Sequence, residues 1–333
     1  MGGVERVLLN RAHAFKKKKV LIKQHVLFLH DGGGLDNFKQ YINKYRLGDY
    51  LEVVDVFDPG KYDIILPIDT PEVFDMTQDY RNIYIECHTS YKNNRKYLGH
   101  LPESLGGIIV PSEEFVECII DEVPEALKKK VNFIRNCLDL EQFNLKTDYS
   151  DLPVLWSKIP LVCIGRIDDL KNTTEVIEIF VEVQKKLGDC FILIIAGPIS
   201  ADIDLWDIVR KKGILNRFIY LPTIQFDKVP ILLSIIKKNK GIFISASKGE
   251  SFGLSVAESL MIDLPVLLSD IPIHRKLVDE NVNFIYRLGN VKQAAARVSN
   301  IIENYSDLMI QCSVFKEKFI IDNFIQDWNR CFT

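Results

Sequence analysis

No pattern of cysteines holds this chain together. The seven present are an odd number, with no C-x-x-C pair and no metal-ligand spacing, so they read as free thiols of a reducing cytosol. An excess of basic charge is also missing. Forty-two Lys and Arg against 45 Asp and Glu leave a net charge of −3, which gives no electrostatic footprint for nucleic acid. No apolar run reaches the roughly 20 residues of a transmembrane helix, and no secretory leader is visible. The expectation is a cytoplasmic protein, at most peripheral to a membrane. Asp31-Gly32-Gly33-Gly34 follows an apolar run but lacks the Lys and Ser/Thr of a P-loop, and is read as a loop.

What is present is ample apolar content, 47% against 26% charged residues, enough for buried sheets. A length of 333 residues suggests two domains of about 150 residues each. Short apolar runs alternate with amphipathic stretches, the pattern of an α/β protein with parallel sheets. In the second half, strands are expected at 160–165, 191–196, 217–221, 242–245, 265–269 and 283–286. Helices are expected over 173–187, 202–212, 227–238, 252–262 and 290–304, completing a doubly wound unit. The first half is less regular, with strands expected at 26–29, 51–56, 64–68, 83–86 and 107–111 and helices over 4–15 and 35–45. Ser112 looks like a helix cap. Polar, turn-rich residues put a linker near 145–158.

The most informative stretch is Lys248-Gly249-Glu250-Ser251-Phe252-Gly253-Leu254-Ser255-Val256-Ala257-Glu258, which follows a strand-like run. Glu250 stands in the turn, and Glu258 lies roughly 9 Å along the helix axis from Phe252 at about 1.5 Å per residue. Between them the small residues Gly253 and Ser255 leave room for a ligand at the first turn, where unpaired N–H groups face outward. An anion suits that helix start, and the two carboxylates can reach neutral hydroxyls beyond it and beside it. Diphosphate, sugar and ribose of a nucleotide sugar fit this description.

The spacing of Glu250 and Glu258 resembles the E-x7-E element of GT-B glycosyltransferases, in particular the retaining group called glycosyltransferases group 1, or family 4. A second segment agrees. Ile159-Pro160-Leu161-Val162-Cys163-Ile164-Gly165-Arg166-Ile167-Asp168-Asp169-Leu170-Lys171-Asn172 is similar to that family's strand–GR–K–N segment, and 132–143 resembles the segment that ends its first domain. The resemblance implies an α/β, GT-B fold, with two Rossmann-like doubly wound domains facing across a cleft. The acceptor-side domain would cover 1–147 and the donor domain 148–310, with a helix in 311–333 crossing back to the first domain. Phe319, Ile320, Phe324 and Trp328 stand at helical spacing there.

By the same resemblance, Arg166 and Lys171 would clamp the donor diphosphate, roles suited to a forked guanidinium and a point-charge ammonium. Ser251 and the backbone N–H groups of Phe252, Gly253 and Leu254 would join them. Glu250 would hold sugar hydroxyls, and Glu258 the ribose. His88, in Glu86-Cys87-His88-Thr89 at the end of a strand run, would position sugar or acceptor from the opposite domain. Gly2 and Gly3 would approach donor phosphate or acceptor. The implied activity is metal-independent transfer of a hexosyl or related group, with retention, from a nucleoside diphosphate sugar to a glycan or lipid-linked acceptor. No cofactor is implied, and the setting would be cell-surface polysaccharide or glycolipid biosynthesis. One departure stands out: the family places a strand before the Gly-Gly turn, whereas this chain starts at the turn, so the first domain is expected to lack its first strand.

Other readings compete. The departure at the start suits a non-catalytic binding partner or remnant. Gly249-Glu250-Ser251-Phe252-Gly253 matches the G-x-S-x-G elbow of α/β-hydrolases, with Ser251 as nucleophile and Asp270 and His274 as the remaining triad. Asp202-Ile203-Asp204 is a D-x-D string, better read as helix capping than as a cation site. The tetralysine 16–19 is read as a solvated helix end favourable to the dipole, with contact to an anionic membrane as the alternative.

Overall fold

The computed structural model describes residues 2–143 and 156–332, so most of the expected linker lies outside the described residues. The chain forms two compact units, Met1–Asp139 with Phe319–Thr333, and Leu140–Lys318. In this division the chain changes unit at 139/140 and 318/319; the expected boundary at 147/148 lies outside the described residues, and the other is expected at 310/311. Packing accounts for the observed division. The short helix after residue 139 already buries Phe143, and near the other crossing Cys312 and Phe315 are buried too, Phe315 meeting Phe284 edge to face at 6.0 Å between ring centroids.

The first unit runs α1 (Gly3–Lys18), β1 (Gln24–Val26), α2 (Leu35–Lys44), β2 (Leu51–Val53), α3 (Val73–Met76), β3 (Tyr84–Glu86), β4 (Gly107–Val110), α4 (Glu113–Ile119) and β5 (Val131–Phe133). β1 pairs with β2, and β3-β4-β5 form a second sheet; every pairing is parallel. The expected strand at 26–29 is displaced to β1, and the one at 51–56 is cut to β2, because pairing ends where Val54 N–H donates to Val26 O. The expected strand at 64–68 makes only isolated bridges, Ile65 to Ile83 and Ile68 to Glu86. Pro67 between them has no N–H to donate. Ser112 does cap α4, accepting from Phe115 N–H at 3.3 Å.

The second unit contains α5 (Leu140–Phe143), β6 (Ile159–Ile164), α6 (Thr173–Leu187), β7 (Phe191–Ala196), α7 (Leu205–Lys211), β8 (Phe218–Leu221), α8 (Val229–Lys238), β9 (Ile242–Ser245), α9 (Leu254–Met261), β10 (Val266–Ser269), α10 (Pro272–Leu277), β11 (Ile285–Tyr286), α11 (Val291–Glu303) and α12 (Tyr305–Val314). Its six strands are parallel in the order β11-β10-β9-β6-β7-β8. Every residue of β9 and β10 is buried, as expected of strands covered by helices on both faces. These strands match the six apolar runs of the sequence.

The last helix, α13 (Ile321–Phe332), belongs to the first unit. Phe324 and Trp328 pack on Phe15 of α1 at centroid distances of 5.5 and 5.0 Å, in a core shared with Ile109, Ile134 and Cys137. The tetralysine is exposed but not idle: Lys16 donates to Tyr45 O and Arg46 O, Lys17 to Asp139 at 2.8 Å, and Lys18 pairs with Asp322. Asp327 is 1% exposed and accepts from Arg135 N–H, Nε and Nη2 at 3.1, 2.7 and 2.9 Å. Removing such an acceptor strands its donors, and Arg135 is half-buried beside it. Asp327→Ala is expected to destabilise the chain by about 2–4 kcal/mol, read as a lower urea midpoint for the first unit.

Candidate functional site

β6 and β9 are neighbours although β7 and β8 intervene in sequence, so strand order reverses between them. Open α/β sheets bind ligands at such a point, outside the carboxyl ends of the strands. The two loops that leave there are bound together. Lys248 N–H donates to Leu170 O at 2.8 Å, and Lys248 Nζ meets Asp169 Oδ1 at 2.6 Å. A third loop comes close: a Cβ on Gly197, whose φ is +142°, would lie 1.9 Å from Gly165 O. Only glycine permits that approach.

Three of the expected donor residues meet here. Lys171 Nζ donates to Glu250 Oε1 at 2.6 Å, and Ser247 Oγ donates to the same oxygen at 2.7 Å. Buried Asp168 holds the loop, accepting from Lys171 N–H at 2.8 Å and pairing with Arg166 Nε at 2.9 Å. The Arg166 side chain is 54% exposed, against 27% for Lys171 and 10% for Glu250. Burial pushes the Glu250 carboxyl up, but Lys171, His274 and the Ser247 bond together hold it below the ordinary carboxylate value. The site is therefore a partly buried ion pair with a forked cation at its exposed side, chemistry suited to a polyanion bearing hydroxyls.

The expected helix over 252–262 begins only at Leu254, because Gly253 adopts a left-handed φ of +81° as its N-cap. A Cβ there would also press on Leu277 Cδ1 at 3.0 Å. The first-turn N–H groups without intrahelical acceptors are thus those of Leu254, Ser255 and Val256, two residues beyond the expected set; Phe252 and Gly253 precede the helix and are buried. Ser251 is half-buried in the same loop. Glu258 is fully buried in α9.

In the first unit, Gly2 and Gly3 form the start of α1, where Gly2 N–H donates to Glu5 Oε2 at 2.8 Å. His88 N–H is held by Asp69 at 3.1 and 3.2 Å, and its Nε2 lies 2.8 Å from Glu86 Oε2.

The hydrolase triad is not assembled. Asp270 is bound by Arg275. His274 Nδ1 lies 3.0 Å from Ser269 O, and its buried Nε2 has no hydrogen-bond partner, Ser251 included. Burial pushes the His274 pKa down to about 4, so the ring is neutral at physiological pH. Asp204 caps α7, accepting from Asp207 N–H at 2.9 Å, although the helix starts at Leu205, later than expected. Asp168, Ser247 and Ser269 went unnoticed in the sequence. Asp168 stands two residues after Arg166, and an acid inside a basic strand-end loop is the signal that would have found it.

Residues 157–318 match the model of the family described as glycosyl transferases group 1. No curated protein matches the sequence significantly. The structure is similar to that of HepE from Anabaena in complex with UDP-glucose, with TM-score 0.74 and 16% identity over 99% of this chain and 95% of that one. It is also similar to a glycosyltransferase from Rickettsia africae, with TM-score 0.66 and 14% identity over 100% and 94% of the two chains. A TarM variant from S. aureus in complex with fondaparinux, α-GlcNAc-glycerol and UDP gives TM-score 0.65 and 18% identity over 80% of this chain; this chain spans 55% of TarM. These likenesses show the fold, which is GT-B.

The Lys171–Glu250 pair makes a pH-dependent prediction. A carboxyl with a lowered folded pKa contributes stability above its unfolded value, near 4.5, and loses it as pH falls through the folded value. Lys171→Ala leaves a buried carboxylate without its cation. It is expected to cost about 1–3 kcal/mol at neutral pH, with the gap from the wild type shrinking below pH 4.5. Urea titrations of both proteins across that range measure it.

Proposed function

We propose that this chain, whose residues 157–318 match the glycosyl transferases group 1 model, moves a sugar from a nucleoside diphosphate sugar to an acceptor hydroxyl with retention. The observation that carries the reading is the Lys171–Glu250 ion pair at the strand-order reversal, with Arg166 exposed beside it and a helix start facing the same loop. Separated, the pair supplies a cation for a diphosphate and an acceptor for sugar hydroxyls. A uridine nucleotide is the base we propose, on the likeness to HepE, whose structures hold UDP-glucose and UDP.

As the glycosidic bond to phosphate breaks, negative charge grows on the leaving diphosphate. Arg166, Lys171 and the N–H groups at the start of α9 stabilise it, with no reorganisation needed if they are already in place. Glu250 orients the sugar through its hydroxyls, Glu258 serves the ribose, and His88 bonds a sugar or acceptor hydroxyl. The acceptor is a glycan or lipid-linked glycan of the cell-surface polysaccharide or glycolipid class, following the family resemblance. Basic side chains and a helix start offset the charge without a metal.

The test is a thermal-shift screen of the full chain against nucleotides and nucleotide sugars. A ligand bound only by the native state at 100 times its Kd adds about 2.7 kcal/mol of stability. A selective rise with one nucleoside diphosphate sugar is expected, reduced at least about tenfold in apparent affinity by Arg166→Ala and by Glu250→Ala. A folded chain that responds to none of these ligands overturns the proposal and favours a non-catalytic binding role.

A further inference from the structure

In the first unit, Glu86 is fully buried at the end of β3. Arg11, on α1 and 2% exposed, grips it with both terminal nitrogens: Nη1 donates to Oε1 and Nη2 to Oε2, each at 2.7 Å. His88 follows two residues after Glu86, and its Nε2 lies 2.8 Å from Oε2. An ionised carboxylate only accepts hydrogen bonds, so Nε2 must carry the proton in this contact. The other ring nitrogen, Nδ1, has no hydrogen-bond partner among the described residues, and in the neutral ring it is the acceptor. The backbone is fixed as well: Asp69 receives His88 N–H, and Tyr97 Oη donates to Asp69 Oδ1 at 3.0 Å.

We propose that Arg11 and Glu86 are positioning residues that lock His88 in its Nε2–H tautomer, so that Nδ1 is presented to accept a hydrogen bond from a sugar hydroxyl. The inference rests on the proposed glycosyl transfer for the identity of that hydroxyl, but not for the tautomer. Burial pushes the Glu86 carboxyl up, yet Arg11 and the His88 bond outweigh it and hold the group at about 2. Glu86 therefore stays an acceptor, and the ring cannot turn its proton away.

Glu86→Gln discriminates this role from simple packing. Arg11 has only donors to offer, so it claims the amide oxygen, and the amide NH2 then faces His88 Nε2. A donor there forces Nε2 to accept and moves the ring proton to Nδ1, the wrong-tautomer effect known for amide replacement of a histidine-orienting carboxylate. Adding Arg11→Met frees the amide to turn its oxygen back to Nε2.

The experiment is 15N NMR of the full-length chain labelled at its six histidines, with His88→Gln to assign the signal, at mildly alkaline pH. The wild type is expected to show a protonated Nε2 and bare Nδ1, Glu86→Gln the reverse, and Arg11→Met/Glu86→Gln the wild-type tautomer again. A wild-type ring protonated on Nδ1, or evenly mixed, overturns the inference even if neither variant folds. With the nucleotide sugar that stabilises the wild type, Glu86→Gln is expected to lower kcat at least about tenfold with KM changed less than threefold; an unchanged kcat in a tautomer-flipped protein also overturns it. Failure of every nucleotide sugar to bind counts against the proposed function and leaves the tautomer result standing as its own test.

Discussion

The adjacency of β6 and β9 is the constraint on which the second unit depends. From β6 the chain winds outward through β7 and β8, then returns to the other side of β6 as β9 and winds outward again through β10 and β11. Right-handed crossovers place helices on both faces, which is why the strands are apolar almost throughout. At the reversal, the loops after β6 and β9 leave in opposite directions and no crossover helix separates them. The backbone bond from Lys248 to Leu170 then fixes two distant stretches of sequence in one frame. Lys171 and Glu250 can meet only because of that frame.

This explains why the two units differed in how well they could be read. Buried parallel strands are continuous apolar runs, so the six of the second unit stand out against amphipathic helices. The strands of the first unit are short: β1 and β5 have no buried residue, and 64–68 is broken by Pro67. Such segments carry little periodic signal, and their pairing is set by neighbours distant in sequence. The unit boundaries are hard to read for a related reason. A polar, turn-rich stretch of sequence signals only a turn, whereas membership of a unit is decided by buried side chains such as Phe143 and Phe315.

At the site, charge and spacing were legible and depth was not. Arg166, Lys171 and Glu250 could be picked out because a basic strand-end loop and a glutamate before a glycine-rich helix start have an obvious chemistry. Nothing local reveals that Asp168 is buried against Arg166 and the Lys171 backbone, or that His274 lies fully buried with its Nδ1 tied to Ser269. The helix start was misread by two residues because Gly253 continues the apolar pattern while its left-handed backbone interrupts the helix. Arg11 and Glu86 were illegible for a stronger reason: they are 75 residues apart, and their meaning lies wholly in the contact.

Each half of the molecule holds a pair of opposite charges, but the two pairs differ in what they permit. Arg11 and Glu86 are sealed, and each terminal nitrogen of Arg11 has its oxygen, so opening the pair would strand a buried charge. Lys171 and Glu250 are only partly dehydrated, and the Coulomb attraction across their 2.6 Å contact is about 2–6 kcal/mol between aqueous and protein-surface dielectrics. That is within reach of a ligand, provided it compensates both partners. On the proposed reading, a diphosphate replaces the carboxylate beside Lys171, but it offers Glu250 only further negative charge. Hydroxyl donors must therefore come from the sugar, so the arrangement rewards the intact nucleotide sugar over the bare nucleotide. The same logic favours release after transfer: once the sugar has left with the acceptor, Glu250 has Lys171 as its nearest available partner, and reclosing the ion pair competes with the spent diphosphate for the cation.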